Sequence, residues 1–511
     1  MAVARTWAVS LLGLEGALVE VETDVSSGLP RFIIIGLADR AISEAEGRVR
    51  QAITNSDCLI PPHRITVNLS PAGLPKNGTA FDLAIALSCL AAIGDVEAAS
   101  IARVVHAGEL GLDGRLRPTP GILPIVRAAR RAGRETIMVP SANAAEASLV
   151  PGIRVVAVDS LRAAAIWHGA ELEMADPVVE TPDPPALGTS PPLELADVLG
   201  QDDAVEALVT AAAGGHHLFL LGPPGSGKTM LAERLPGILP PLSTEAALDV
   251  SSVRSLGGQR VGDSLDTVPP FESPHHTATA AAVVGGGSGV IRPGAVARAS
   301  HGVLFLDEAP EFARVVLDCL RQPLETGWIT IHRANAVARF PARVQLILAA
   351  NPCPCGQYGA PESSCQCAPS AIRRYFSRIS GPLLDRIDLQ VTVRRVSSAA
   401  NRIAGERTVS TSEAARSRVL EARSRAERRL RETPWAVNAE VPGAFLRSSP
   451  IALDPQAVRP LDRGLERGAL TMRGYDRVLR VAWTLADLRG TASPDHDDVC
   501  RALFLRKGIA A

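Results

Sequence analysis

The residues Gly222, Pro223, Pro224, Gly225, Ser226, Gly227, Lys228 and Thr229 fill the pattern G-x-x-x-x-G-K-[ST]. That chemistry is polyphosphate binding. Glycines let the backbone close around the phosphates and turn its N–H groups inward, Lys228 reaches the terminal phosphates, and Thr229 can ligate Mg²⁺. Eight residues can match by chance, so a bare glycine-rich turn is the competing reading. Two further clusters answer it. Asp307 and Glu308 end the apolar run Val303-Leu-Phe-Leu, where Asp307 would hold Mg²⁺ and Glu308 would polarise an attacking water. Asn351 ends a second such run, Val344-Gln-Leu-Ile-Leu-Ala-Ala350, where its amide could orient that water at the terminal phosphate. A carboxylate ending a buried strand often only caps the next helix. Three such clusters in one chain describe an ATP-hydrolysing engine that uses ATP and Mg²⁺.

The elements that must hold these groups are legible around them. The run His217-Leu-Phe-Leu-Leu221 reads as a strand and Met230-Leu-Ala-Glu-Arg-Leu235 as a helix, the strand–loop–helix order a phosphate loop requires. Runs of four or more apolar residues, rather than an alternation, predict strands of a parallel sheet buried on both faces. The fold class is therefore α/β. A chain of 511 residues should form two to four domains, and 46% hydrophobic content is ample for their cores. The stretch 171–194 is proline-rich and polar, which predicts a linker between an N-terminal domain, 1–170, and an ATPase core, 195–396. Beyond it, 397–511 turns arginine-rich with helical apolar spacing, as in Val419-Leu-Glu-Ala-Arg-Ser-Arg-Ala-Glu-Arg-Arg-Leu430.

Composition excludes several classes. With 53 Lys and Arg against 54 Asp and Glu, a uniformly basic nucleic-acid coat is excluded, and only local basic patches remain. No window reaches the roughly 18 uninterrupted apolar residues of a membrane helix, and the N-terminus lacks the layout of a secretory signal. A cytoplasmic protein without a membrane partner is expected. Eight cysteines in such a chain point to thiols or metal rather than disulfides. Four of them, Cys353, Cys355, Cys365 and Cys367, form two C-x-C pairs in an insert, 353–367, directly after Asn351. They could close a tetrahedral Zn²⁺ site, although C-x-C is tighter than the usual knuckle spacing, and free thiols or a redox disulfide stand beside that reading. The basic segment Arg373-Arg374-Tyr375-Phe376-Ser-Arg378 that follows could contact a nucleic-acid backbone and stack bases, or be a solvated helix face with buried aromatics.

The phosphate loop, Pro274-His275-His276-Thr277, Val284-Gly-Gly-Gly287, Arg292-Pro-Gly294, Gly302-Val-Leu-Phe-Leu-Asp-Glu308, Arg321-Gln-Pro-Leu-Glu325, Asn351-Pro-Cys-Pro-Cys-Gly356 and Ser380-Gly-Pro-Leu-Leu-Asp-Arg-Ile-Asp388 follow one another in an order that resembles the magnesium-chelatase-like AAA+ ATPases of the ComM/YifB type. The resemblance covers nearly the whole chain. It implies an N-terminal Lon/S5-like α+β domain, a central AAA+ parallel sheet flanked by helices, and a C-terminal helical lid. It also implies a ring, a homo-hexamer, in which each site is completed by a neighbour. Arg386 matches the arginine finger that offsets charge at the next subunit's γ-phosphate, with Arg378 as runner-up, and Arg473 matches the second sensor. Two departures stand out: Ala295 where relatives carry an acid after Arg-Pro-Gly, and Ser300-His301 where His-Asn is usual.

The N-terminal domain resembles the Lon protease domain through Pro71-Ala-Gly-Leu-Pro-Lys76-Asn-Gly78-Thr-Ala80-Phe-Asp82 and Gly108-Glu-Leu-Gly-Leu-Asp-Gly-Arg-Leu-Arg-Pro-Thr-Pro-Gly121-Ile-Leu123. Matching the motifs puts Ala80 at the serine and Leu123 at the lysine of that family's dyad. Alanine offers no nucleophile and leucine no base, so peptidase chemistry through this dyad is not expected. The resemblance implies a DNA helicase or translocase that promotes branch migration while transforming DNA is recombined, with single-stranded or branched DNA and recombination proteins as partners. The alternative is a chelatase-like or chaperone-like ATPase that remodels a protein partner.

Overall fold

The computed structural model describes residues 3–37, 39–173, 193–287, 291–333, 336–358, 365–395, 410–448 and 450–507. Most of the expected linker lies outside them. Two sheets organise the chain. The first runs Arg31–Ile35, Arg64–Ser70, Glu15–Ser26, Ala4–Leu12, Val105–His106, Thr136–Pro140, Arg154–Val158 in spatial order. Its central hairpin pairs Ala4 with Thr23 through to Leu12 with Glu15. Along Glu15–Ser26 the residues Val19, Val21, Thr23 and Val25 are buried while Glu20, Glu22 and Asp24 face outward, so a slip of one residue would bury the three acids and the register is fixed. The helix Asp82–Ile93 is buried from Asp82 through Leu90, as expected of a helix apolar all round, and forms the centre of this domain's core.

The second sheet has five strands, in the order Phe271–Glu272, Val303–Leu306, Gln345–Ala350, Leu218–Leu221, Leu389–Thr392. Every pairing is parallel. Val303–Leu306 and Gln345–Ala350 are buried at every residue, which is why both read as unbroken apolar runs. Leu221 lies opposite Ala350 on one side and Thr392 on the other. The loops that leave these strands therefore emerge side by side at one edge, where open parallel sheets place their ligands.

The C-terminal helices Ser412–Leu430, Pro455–Glu466, Met472–Arg489 and His496–Lys507 close over this sheet. Several arginines of Ser412–Leu430 are taken up in packing this helix against the core and against another lid helix. Arg423 donates to the Ala212 carbonyl at 2.6 and 3.0 Å, Arg418 pairs with Glu206 at 2.7 Å, and Arg429 grips Asp487 with two bonds of 2.6 and 2.7 Å. A guanidinium bonded to a helix-end carbonyl is not free for a phosphate. Among the described residues no helix is long and apolar enough to cross a membrane.

The two sheets are joined through the helices Ile122–Arg131 and Thr244–Leu256. Arg127 reaches Asp249 at 2.8 Å, Ser252 at 3.0 Å and Glu245 at 3.1 Å, and Gly121 N–H donates to the Ser255 carbonyl at 3.0 Å. Asp249 also lies 3.4 Å from His301. Burial alone would raise the Asp249 carboxyl, but His301 and Arg127 hold it below the ordinary value. His301, one of the two departures from the family pattern, thus sits at the contact between domains.

Candidate functional site

The residues that follow three of the parallel strands meet at the edge of the second sheet. Gly222 leaves Leu218–Leu221, and its backbone N–H returns to the Ala350 carbonyl at 3.1 Å. A side chain at Gly222 would lie 2.3 Å from the Val393 carbonyl oxygen, so only glycine lets the loop start there. Gly225 and Gly227 take left-handed backbone angles, φ +72° and +89°, which turn the chain into the helix Lys228–Ile238. The loop is held from outside by Gln201, whose amide donates to the Ser226 carbonyl at 2.5 Å, and by Arg395, which donates twice to the Pro224 carbonyl at 3.0 and 3.1 Å.

Lys228 is buried, with its ammonium on the Gly222 carbonyl at 2.7 Å, the Pro223 carbonyl at 3.1 Å and Asn351 Oδ1 at 3.1 Å. Burial lowers its pKa, while Asp307 and Glu308 oppose that by favouring the charged form. Thr229 Oγ1 donates to Asp307 Oδ2 at 2.8 Å. The structure thus forms two hydrogen-bonded pairs, Lys228 with Asn351 and Thr229 with Asp307, carried side by side by consecutive residues at the start of the helix. Glu308 stands beside them with φ +51°, an unusual angle for a non-glycine residue that turns its carboxylate out of the strand direction. Its Oε2 lies 3.2 Å from His276 Nδ1. His276 lies in Pro274-His275-His276-Thr277, and nothing in the local spacing of the sequence links position 276 to position 308.

The site fits a triphosphate with its metal. The Ser226 hydroxyl is buried and has no partner, a cost of about 1–3 kcal/mol that a phosphate oxygen could relieve by accepting its hydrogen bond. Thr229 and Asp307, a hydroxyl and a carboxylate 2.8 Å apart, are the hard oxygen donors Mg²⁺ prefers.

Arg386 and Arg473 are elsewhere. Together with Arg477, Arg480, Glu325, Asp385 and Asp476 they line a cleft of about 170 Å³. Arg386 bonds Glu325 and the Pro382 carbonyl, and its Nε is buried without a partner. Two residues on, Asp388 N–H donates to the His217 carbonyl, which precedes the phosphate-loop strand. The cleft is therefore at the end of the sheet where strands begin, and the phosphate loop is at the end where they finish. Asp388 anchors this end: Arg477 reaches it at 2.5 Å and His216 at 3.2 Å. Its burial would raise its pKa, but Arg477 and His216 hold it well below the ordinary carboxylate range. Arg378, by contrast, bonds Glu311 at 2.9 Å and the Pro310 carbonyl at 3.1 Å, on the segment just after Glu308.

The four insert cysteines also come together, with all four sulfurs within 4.8 Å of one another. In the N-terminal domain Leu123 is buried and Ala80 packs against the same cluster, which also takes in Leu248 and Leu265 of the second domain. The two positions matched to the protease dyad thus belong to one apolar cluster to which both domains contribute.

Three family profiles match. "Magnesium chelatase, subunit ChlI" matches residues 194–401, "Subunit ChlI of Mg-chelatase" 21–143, and "Magnesium chelatase, subunit ChlI C-terminal" 409–506. An uncharacterized protein of Mycobacterium tuberculosis is 47% identical over 99% of both chains. The competence protein ComM of Haemophilus influenzae is 40% identical over 99% of this chain and 98% of its own, and YifB of Escherichia coli 37% over 98% and 95%. A weaker likeness, 25% over 163 residues and 29% of each chain, is to Lon protease 2 of Bacillus subtilis.

Proposed function

The chain belongs to the magnesium-chelatase-like AAA+ ATPases of the ComM and YifB type, and from that premise we propose that it is a ring-forming ATP-driven motor acting on DNA during recombination of transforming strands. As a family member it is an ATPase that uses ATP and Mg²⁺. In the proposed cycle Lys228 and the loop N–H groups hold the phosphates, and Thr229 and Asp307 hold the metal. Bound Mg²⁺ offsets phosphate charge. Glu308, steadied by His276, takes a proton from the attacking water while Asn351 orients it. Arg386 and Arg473 project from the opposite end of the sheet into the site of the next subunit, which makes the ring, a homo-hexamer, the active unit. Arg378 is assigned to the chain's own site rather than to the finger.

The observation that carries the DNA reading is the end-to-end likeness to a competence protein, including an N-terminal domain with Ala80 and Leu123 where a peptidase would need its dyad. That domain serves as a platform for the ring rather than as a protease. Helicase or translocase activity with branch migration, single-stranded or forked DNA as the ligand, recombination proteins as partners and a cytoplasmic site of action all belong to this reading. The exposed Arg373 and Arg374, on the helix Pro369–Phe376, are the basic groups it assigns to the DNA backbone. A second reading, remodelling of a protein partner as a chelatase subunit does, is favoured by the three profiles being those of the chelatase subunit. ATPase rate measured with and without single-stranded and forked DNA, with Lys228→Ala as the blank, separates the two. Stimulation and forked-DNA unwinding support the motor; a rate indifferent to DNA refutes it in favour of a protein substrate.

A further inference from the structure

The geometry points to a zinc ion bound by Cys353, Cys355, Cys365 and Cys367 that braces the phosphate loop. Cys353 Sγ lies 3.3 Å from Cys355 Sγ and 3.7 Å from Cys365 Sγ, and Cys355 and Cys365 are 3.6 Å apart. A tetrahedral thiolate site with Zn–S of about 2.3 Å sets its sulfurs about 3.8 Å apart. A disulfide would need about 2.05 Å. Iron–sulfur clusters spread their cysteines over several irons, so four sulfurs this close suit a single ion. Tight C-x-C spacing is no obstacle, because both pairs contribute to one small pocket. The surroundings suit thiolates as well: the Tyr358 backbone N–H points at Cys353 Sγ at 3.4 Å. On binding, each thiol gives up its proton and forms one Zn–S bond, releasing up to four protons per ion, with no oxidant or reductant involved.

The brace follows from what the insert touches. Cys353 is fully buried and stands two residues after Asn351, which accepts from Lys228 at 3.1 Å. Gly356, within the turn closed by its N–H on the Cys353 carbonyl at 2.9 Å, faces the phosphate loop so closely that a Cβ there would lie 2.6 Å from Pro224 Cδ. Its φ of +76° also favours glycine. Metal ligation would thus hold one wall against Pro224 and at the same time fix the strand end that carries Asn351. A loosely held wall would let both drift, and displacements of about 1 Å at a reacting centre cost about 10²-fold in rate.

The test uses the full-length chain purified without chelator. Elemental analysis for zinc and iron should give about one zinc per chain, and Cys365→Ser/Cys367→Ser should lose it. Cobalt exchanged into the site should show the visible bands of tetrahedral thiolate ligation. Well under one metal per chain, alongside four titratable reduced thiols in the insert, overturns the site. For the brace, zinc stripped under reducing conditions should cut basal kcat/KM for ATP by about 10²-fold with circular dichroism unchanged. Gly356→Ala should keep zinc and still weaken ATP turnover. A zinc-free protein, or a Gly356→Ala protein, with wild-type kcat/KM overturns the brace. All readouts are taken without DNA, so their failure is distinct from failure of the DNA-motor reading.

Discussion

Mixing two inactive variants tests where Arg386 acts. The strand Leu218–Leu221 is four residues long, which at about 3.3 Å per residue separates the His217 end from Gly222 by about 13 Å. Arg386 is tied to the His217 end through Asp388 and Arg477, and its side chain enters the cleft with Arg473 and Arg480. On the proposed reading it serves the loop of the next subunit rather than its own. Lys228→Ala and Arg386→Ala should each lower hydrolysis by about 10³-fold or more. In rings assembled from equal amounts of both, a working interface needs an intact loop from an Arg386→Ala chain and an intact finger from a Lys228→Ala chain. Each condition is met half the time, so about one interface in four is complete and about a quarter of wild-type rate should return if interfaces act independently. Phosphate release after co-refolding or subunit exchange reads this directly. Were Arg386 to act within its own chain, no chain would hold both groups and the mixture would stay as dead as its parts, which would refute the argument from sheet ends.

Glu308→Gln should retain ATP binding, followed with a fluorescent analogue, while phosphate release falls by about 10²-fold or more, the contribution of a positioned base; unchanged turnover would remove Glu308 from that role. His276→Ala should lower kcat up to about 10²-fold with KM for ATP unchanged, because His276 acts through Glu308; a change confined to KM would contradict this. Asp388→Asn leaves Arg477 without its buried partner and should destabilise the chain by about 3–5 kcal/mol in a denaturant titration at neutral pH. The sign with pH follows from a folded-state pKa held well below the ordinary carboxylate value. The stabilisation is complete above the unfolded pKa of about 4 and is lost as pH falls toward the folded pKa. Asp388→Asn should therefore flatten that acid limb, and an unaltered acid limb would show that Asp388 is not its source.

How far the sequence could be read depended on whether the information was local. A parallel strand covered on both faces must stay apolar until its last residue, and chemistry can begin only where the chain leaves the sheet. That is why the residues after 221, 306 and 350 could be picked out in advance, and why they meet at one edge once the strands align. Sheet order is not local. Placing Leu389–Thr392 beside Leu218–Leu221 puts Arg386 at the opposite end, and nothing near position 386 in the sequence says so. The same limit applies to His276, which finds Glu308 across two strands, and to Arg423 and Arg429, whose carbonyl and carboxylate partners lie 211 and 58 residues away. A basic stretch looks alike in sequence whether its guanidinium groups face a phosphate backbone or join two helices. The consequence for function is specific. On the proposed reading, a loop and arginines at opposite ends of one sheet leave half a site in each chain, so turnover would require another copy, and the ring would be a condition of the chemistry rather than a mode of regulating it.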